Sequence, residues 1–358
     1  MKTPLGAEAR TPVSQRIREM CGYVPGEQPM ERALVKLNTN ENPYPPSPAV
    51  CKALEGLDGD DLRLYPSPLG DRLREKAADF YGVEPSQVIV GNGSDEILAM
   101  ILRACVQSGE TVAWPVPTYS LYETLAQVAG ARVISAPIAG TGSVQDSVLP
   151  GALFDSGARV VFVCRPNSPK GEVVDLAELA RLCRCVDGLV VSDEAYIEFS
   201  DRESAVAILP DFPNLLVSRT LSKSFSLAGA RVGFGLASSA LVEELLKVKD
   251  SYNCSRLAQV AGCAAFDDHE WMRRNVERIK CTREETIARL RDRGWQVDDS
   301  QANFFWLHCG RRGGANVFRR LRDAGVLVRY FHTEALAEGV RISVGSNEEM
   351  ARFLDALR

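Results

Sequence analysis

Lys223 stands in Ser218-Arg219-Thr220-Leu221-Ser222-Lys223-Ser224-Phe225, directly after an apolar run, and Arg231 follows in Ala228-Gly229-Ala230-Arg231-Val232-Gly233. A lone lysine on a strand-to-helix loop is ordinarily a solvated surface residue. Two other segments change that reading. Leu189-Val190-Val191 runs into Ser192-Asp193-Glu194-Ala195-Tyr196, and Val160 to Cys164 runs into Arg165-Pro166-Asn167-Ser168-Pro169. In parallel α/β sheets ligands gather at the carboxyl ends of strands, so an amine, an acid, a phenol and small polar groups are expected to converge there. A pyridine aldehyde cofactor demands such a set: an amine to form a Schiff base, a carboxylate to keep the ring nitrogen protonated, and donors facing the ring oxygen. Lys223, Asp193 and Tyr196 can supply these; standing alone, Asp193 reads equally well as a turn cap.

A cofactor phosphate needs backbone amides and cations. Gly91-Asn92-Gly93-Ser94-Asp95 follows an apolar run and opens a helical stretch, which presents free N–H groups at the positive end of a helix. The turn has neither the dinucleotide-binding nor the Walker glycine pattern, and many such turns only reverse the chain. Ser222 can add a hydroxyl and Arg231 a permanent cation.

These residues need a scaffold. Short β-branched runs recur at Val88 to Val90, Val112 to Trp114, Val133 to Ile134, Val160 to Val163, Leu189 to Val191 and Leu215 to Val217. Helical stretches or turn-rich loops separate them, the pattern of a mostly parallel sheet covered by helices on both faces. Helical spacing predicts amphipathic helices over Leu69 to Tyr81 and Asp95 to Val106, the latter with Ile97, Ile101 and Cys105 on one face. Asn42-Pro43-Tyr44-Pro45-Pro46 cannot be regular structure, because proline fixes φ and lacks a donor. After about Ala237 the texture changes to charged helices, Leu241 to Asp250 and Trp271 to Asp292, with strands around Phe304 to Leu307, Val326 to Val328 and Arg341 to Val344. The fold class is therefore α/β. An N-terminal arm is expected over 1–35, a large cofactor-binding domain over 36–250 and a smaller α+β C-terminal domain over 251–358.

Composition removes several classes of function. The 358 residues, 45% hydrophobic and 25% charged, suffice for a sizeable core. A net charge of -5 gives no wide positive field for nucleic acid. No apolar run approaches a membrane span, and Met1 to Arg10 lacks the apolar core of a signal peptide, so a cytoplasmic enzyme is expected. The ten cysteines are scattered, and Cys105, Cys164 and Cys263 lie in apolar runs that favour buried free thiols. Cys183 and Cys185 lack the spacing of a zinc pair, and His269, His308 and His332 are far apart, so no metal site is expected.

The residues also carry a family resemblance. The chain resembles fold-type I pyridoxal-phosphate-dependent aminotransferases, and within them the histidinol-phosphate aminotransferase family. The likeness runs through Tyr23-Val24-Pro25-Gly26, Asn38 to Tyr44, Arg63-Leu64-Tyr65-Pro66, Gly91 to Glu96, Pro117-Thr118-Tyr119, Asp193 to Phe199, Thr220 to Gly233, Val328 to Phe331 and Arg341 to Gly345. It implies pyridoxal 5'-phosphate (PLP) as cofactor, Lys223 as its covalent attachment, Asp193 on the pyridine nitrogen, Tyr196 on the ring hydroxyl and Tyr119 stacked on the ring. Gly93, Ser94, Asp95, Ser222 and Arg231 would surround the phosphate, with Tyr65 reaching it from the other subunit of a homodimer with shared sites. Arg341 matches the arginine that binds a substrate carboxylate, and Arg329, Tyr23 and Asn42 fall among the substrate-binding positions. Tyr119 and Tyr65 read otherwise as core or turn aromatics, and Arg329 and Tyr23 as surface or arm contacts.

One stretch departs from the family. Pro166-Asn167-Ser168-Pro169-Lys170-Gly171 stands where Pro-Asn-Asn-Pro-Thr-Gly is usual, so Ser168 replaces the asparagine that donates to the ring oxygen. A hydroxyl is shorter, and a water or a shift of Asn167 would be needed to reach. The resemblance implies transamination between histidinol phosphate and 2-oxoglutarate in histidine biosynthesis. A threonine-phosphate decarboxylase-like lyase and an aromatic transaminase are the alternatives on the same fold. A transcriptional regulator of this fold would need a DNA-binding segment ahead of it, and too few residues precede Tyr23.

Overall fold

The computed structural model describes residues 12–28, 34–138 and 147–358. Met1 to Arg10 and part of the expected arm lie outside the described residues. The strands are β1 (Val35–Leu37), β2 (Val88–Gly91), β3 (Thr111–Val116), β4 (Arg132–Pro137), β5 (Val160–Cys164), β6 (Leu189–Asp193), β7 (Leu215–Thr220), β8 (Gly233–Leu236), β9 (Gln296–Val297), β10 (Phe304–His308), β11 (Val326–Val328) and β12 (Gly339–Ser343). A seven-stranded sheet with the order β2-β8-β7-β6-β5-β3-β4 forms the centre. Its pairs from β7 through β4 are parallel, and β8 runs antiparallel to both β7 and β2.

Apart from the partly exposed edge strand β4, both faces of this sheet are dry, which is why its strands read as continuous apolar runs. Val161, Val163, Val190, Leu215 and Val217 face one apolar cluster, while Val160, Phe162, Leu189, Val191 and Leu216 face the other. The period-two alternation therefore separates two cores rather than core from solvent. The helix Ser94–Cys105 buries Ile97, Leu98 and Ile101 in the second core, and begins one residue before its expected start.

All six β-branched runs of the central third are strands, but β8 departs from expectation. Gly233-Phe234-Gly235-Leu236 is half glycine, a composition depleted in strands. Contact requires it: a Cβ at Gly233 would lie 2.3 Å from the backbone of Gly93 and Ser94. The helix Arg256–Asp267 is likewise absent from the expected elements, and its alanines pack against the helices Pro48–Glu55 and Asp71–Tyr81. In the C-terminal part β9, β10 and β12 form an antiparallel sheet and β11 pairs with β1. The β1–β11 pair joins the chain at the boundary expected at 36 to the C-terminal part, and the helix Arg256–Asp267, beyond the boundary expected at 250, packs on two helices that precede it. All ten cysteines are free; Cys164 and Cys263 are buried and Cys105 half-buried, whereas Cys21, Cys51, Cys185 and Cys281 are exposed. Among the described residues no helix is long and apolar enough to cross a membrane, and no group of three His, Cys, Asp or Glu side chains is placed to hold a metal ion.

At the carboxyl ends of β5, β6 and β7 lies a buried ionic cluster. Glu194, 0% exposed, accepts from Arg165 at 2.9 Å and from Arg219 at 3.3 Å, and the backbone N–H of Ala205 donates to it at 2.7 Å. Arg219 also bonds Glu198 at 2.5 Å, and Arg165 donates to the Val174 carbonyl at 2.7 Å. Removing one member of such a set strands the others without solvent. Glu194→Ala is expected to destabilise the fold by about 3–5 kcal/mol, read as a lowered urea midpoint at unchanged slope.

Candidate active site

The carboxyl ends of the parallel strands open into a cavity of about 310 Å³. Tyr23, Ser94, Asp95, Tyr119, Ser168, Asp193, Tyr196, Ser222, Lys223, Arg231, Arg329 and Arg341 all line it. Among the sequence candidates Gly93, Asn42 and Tyr65 do not. Gly93 lies just behind the wall at φ 83°, and a Cβ there would come within 2.5 Å of the Arg231 guanidinium. Asn42 donates through Nδ2 to the carbonyls of Lys223 and Ser224, both at 3.1 Å, so it fixes the lysine loop from behind. Tyr65, 76% exposed, stacks on Tyr252 at 4.3 Å in a separate groove with Leu62, Leu64 and Leu257.

Lys223 follows β7 and enters the cavity with Nζ 3.1 Å from the Thr39 carbonyl and 5.7 Å from the centre of the Tyr196 ring. Burial, and then the Arg341 charge, pushes the ammonium down to about 8, so a useful fraction of neutral amine exists near neutrality. Asp193 closes β6. Its Oδ2 accepts from the Tyr122 hydroxyl at 2.7 Å, while Oδ1 is buried without a hydrogen-bond partner. Burial is the largest influence on this carboxyl and raises it to about 7, against the Tyr122 bond, which lowers it. Tyr196 accepts at its hydroxyl from Asn40 Nδ2 at 3.1 Å, and its ring meets Phe304 edge-on at 4.9 Å. Burial raises its phenol, as it does that of Tyr119.

At one end the helix beginning at Ser94 points its amino terminus into the cavity. Arg231, held at φ 55°, donates to Ser222 Oγ at 3.4 Å and to Asp95 Oδ2 at 3.3 Å. Tyr119 donates to the other Asp95 oxygen at 3.3 Å. The Asp95 carboxylate oxygens accept from Arg231 and Tyr119 and so brace both, which leaves the N–H groups of the turn as the donors for an anion. At the other end Arg341, on β12, donates to Ser168 Oγ at 3.1 Å and to the Asn38 carbonyl at 2.9 Å, and its Nε has no partner. Burial pulls this guanidinium below its ordinary value, yet it stays charged. Arg329 pairs with Arg341 through the backbone and donates to the Val24 carbonyl at 2.7 Å; Tyr23 meets Tyr119 edge-on at 6.1 Å.

The Asn167 side chain is fully engaged. Its Nδ2 donates to the Pro117 carbonyl at 2.9 Å and to Glu172 at 2.8 Å, and its Oδ1 accepts from Thr118 at 2.9 Å. It is not free to replace the missing asparagine, and Ser168 is itself held by Arg341. Three contributors escaped the sequence reading as site residues. Asn40, at φ 55° and bonded to Ser343 and Asn303, lies within the Asn38 to Tyr44 stretch of the resemblance but takes no role from it. The Thr39 carbonyl acts through its backbone. Tyr122 did carry a signal, since Tyr119 and Tyr122 stand three apart at a helix start and so share a face.

These residues fit a phosphorylated pyridine aldehyde. A buried carboxylate keeps one oxygen unused, a depressed lysine stands in the same cavity, and an amide-rich turn with Arg231 closes the end where any side chain at Gly93 would intrude.

Residues 32–357 match the family model for class I and II aminotransferases. The chain is 40% identical over 344 residues to histidinol-phosphate aminotransferase 1 of Trichormus variabilis, covering 96% of this chain and 97% of that one. It is 43% identical over 345 residues to the histidinol-phosphate aminotransferase of a Geobacter species, covering 96% and 97%. The crystal structure of histidinol-phosphate aminotransferase from Sinorhizobium meliloti in complex with PLP superposes with a TM-score of 0.86 at 25% identity, over 98% of this chain and 97% of that one. With the site geometry, these matches mean that the chain belongs to the class I and II aminotransferases, a PLP-dependent family of the fold-type I architecture.

Proposed function

We propose that the enzyme exchanges an amino group between histidinol phosphate and 2-oxoglutarate, for histidine biosynthesis, as a cytoplasmic homodimer with shared sites. The relatives' names support the substrate, and the observation that carries it is the pair of arginines opposite the lysine. Arg341 keeps Nε free inside the cavity and suits a carboxylate, while Arg329 at the mouth offers a second cation for a phosphate.

Bound PLP supplies an aldehyde and a ring that accepts electrons. Lys223 Nζ would be the amine that holds the cofactor, and as a free amine it would hold and move the proton at the substrate's amine-bearing carbon. The Thr39 carbonyl and the Asn42 grip on the loop aim Nζ. Ionised Asp193 would hold the ring-nitrogen proton through its unpartnered Oδ1, and Tyr196, steadied by Asn40, would serve the ring hydroxyl. Tyr119 covers the ring. The backbone of Gly93, Ser94 and Asp95, with Ser222 and Arg231, receives the phosphate. Tyr65 serves the cofactor phosphate of the neighbouring subunit, which accounts for an exposed tyrosine in an apolar groove.

Glutamate alone is expected to release 2-oxoglutarate in an amount equal to the subunits present, and continuously once imidazole-acetol phosphate is added. Carbon dioxide release from threonine phosphate, or faster turnover with aromatic keto acids, would replace this reading with a lyase or an aromatic transaminase. Lys223→Ala should lower the rate by about 10²–10⁴-fold and abolish borohydride-fixable attachment of the cofactor.

Arg329→Ala is expected to raise KM for histidinol phosphate roughly 10- to 100-fold while changing KM for glutamate far less; equal effects on both substrates argue against a phosphate role. For the shared site, Lys223→Ala and Tyr65→Ala chains, each impaired alone, should regain partial activity when unfolded and refolded together. No recovery in the mixture would place Tyr65 outside the site.

A further inference from the structure

Asp193 shares strand parity with Leu189 and Val191, which face the apolar core that also holds Phe162 and Tyr122. Tyr122, on the helix Leu121–Ala129, is 0% exposed. Its ring stacks on Phe162 at 4.7 Å and meets Tyr119 edge-on at 5.7 Å, so packing on two sides sets where its hydroxyl stands. That hydroxyl donates to Asp193 Oδ2 at 2.7 Å and leaves Oδ1 as the one free oxygen. Ser218, opposite Asp193 on β7, carries the other hydroxyl close to this carboxyl, and it too lowers the group, by less than Tyr122 does.

A carboxylate in such a layer stays charged only if a donor stabilises it. Burial raises Asp193, and Asp95 across the cavity and Glu194 next in the chain raise it further as like charges. Cys164 on β5 and the phenols of Tyr119 and Tyr196 face the same space; burial raises all three, so they stay neutral near neutrality. Burial and the Asp193 charge raise the Tyr122 phenol as well, so it remains a donor at any working pH.

We infer that Tyr122 is a positioning residue of the site: its hydroxyl holds Asp193 ionised and turned so that Oδ1 meets the cofactor's ring nitrogen. This rests on the PLP reading above and adds to it that the ring-nitrogen contact is a two-residue device, built from a strand end and the next helix across the sheet. Tyr122→Phe keeps the packed ring and deletes only the donor. The carboxyl then rises further, ionised Asp193 is lost at higher pH, and the ring nitrogen loses its counter-charge.

The experiment compares the full-length wild type, Tyr122→Phe, Asp193→Asn and the double variant. Each is stripped of cofactor and titrated with PLP and with the analogue whose ring nitrogen is replaced by C–H. Tyr122→Phe is expected to weaken PLP binding about tenfold or more, to leave the analogue's affinity unchanged, and to move the acid limb of PLP binding to higher pH. In the Asp193→Asn background it should add nothing. Equal losses for both ligands, or no loss with an unmoved acid limb, overturn the Tyr122 inference while wild-type PLP attachment through Lys223 leaves the parent reading standing. A wild type that binds PLP no better than the analogue overturns the Asp193 role and this inference with it.

Discussion

The site depends on three strand ends being held side by side without water. Glu194 sits between Arg165 and Arg219, and these belong to the chain just beyond β5, just beyond β6 and at the end of β7. Each charge is too costly to bury alone, and each is tolerated because the other strands bring its partner. One residue along the chain from these anchors are Cys164, Asp193 and Thr220, and Lys223 follows within the same turn. The cluster therefore fixes the register from which the reactive groups project, and the sheet's two dry faces keep that register from slipping.

Much of this was legible from residue order alone. Strand-end polar residues after apolar runs located Lys223, Asp193, Tyr196 and Ser168, because parallel sheets collect function at one edge. The glycine turn before Ser94 was readable because a strand-to-helix junction exposes amides whatever the tertiary context. The missing parts share a physical cause. Strand β8 is dictated by a backbone collision that no propensity scale contains. Asn40 and the Thr39 carbonyl act through contacts with residues more than a hundred positions away, and a short irregular segment has no period to betray them. The hydrogen bond from Tyr122 to Asp193 joins a helix to a strand beyond its neighbour and needs the folded sheet to exist.

The Ser168 departure also has a structural sense. With Asn167 locked by Pro117, Thr118 and Glu172, the loop is rigid without the second amide. Ser168 instead accepts from Arg341, so this buried arginine is steadied by the segment that follows β5. The Tyr196 hydroxyl is in turn set by Asn40 and, through it, by Ser343 on the same strand as Arg341. The two groups proposed for the substrate and for the ring, Arg341 and Tyr196, thus share one small polar lattice.

The glycine contact between β8 and the turn at Gly93 gives the cavity two ends of different character. Where Gly233 meets the backbone of Gly93 and Ser94, a single added methyl collides with main-chain atoms that cannot step aside, and Gly93 itself holds φ 83°, a conformation that side chains rarely adopt. That end is closed to gradual change. The opposite end is bounded by Tyr23, Arg329 and the Val24 carbonyl, where side chains lie at the surface and a substitution meets solvent instead of backbone. New substrates can be acquired by point changes at the second end only, so one cofactor seat can persist while the molecules presented to it diverge.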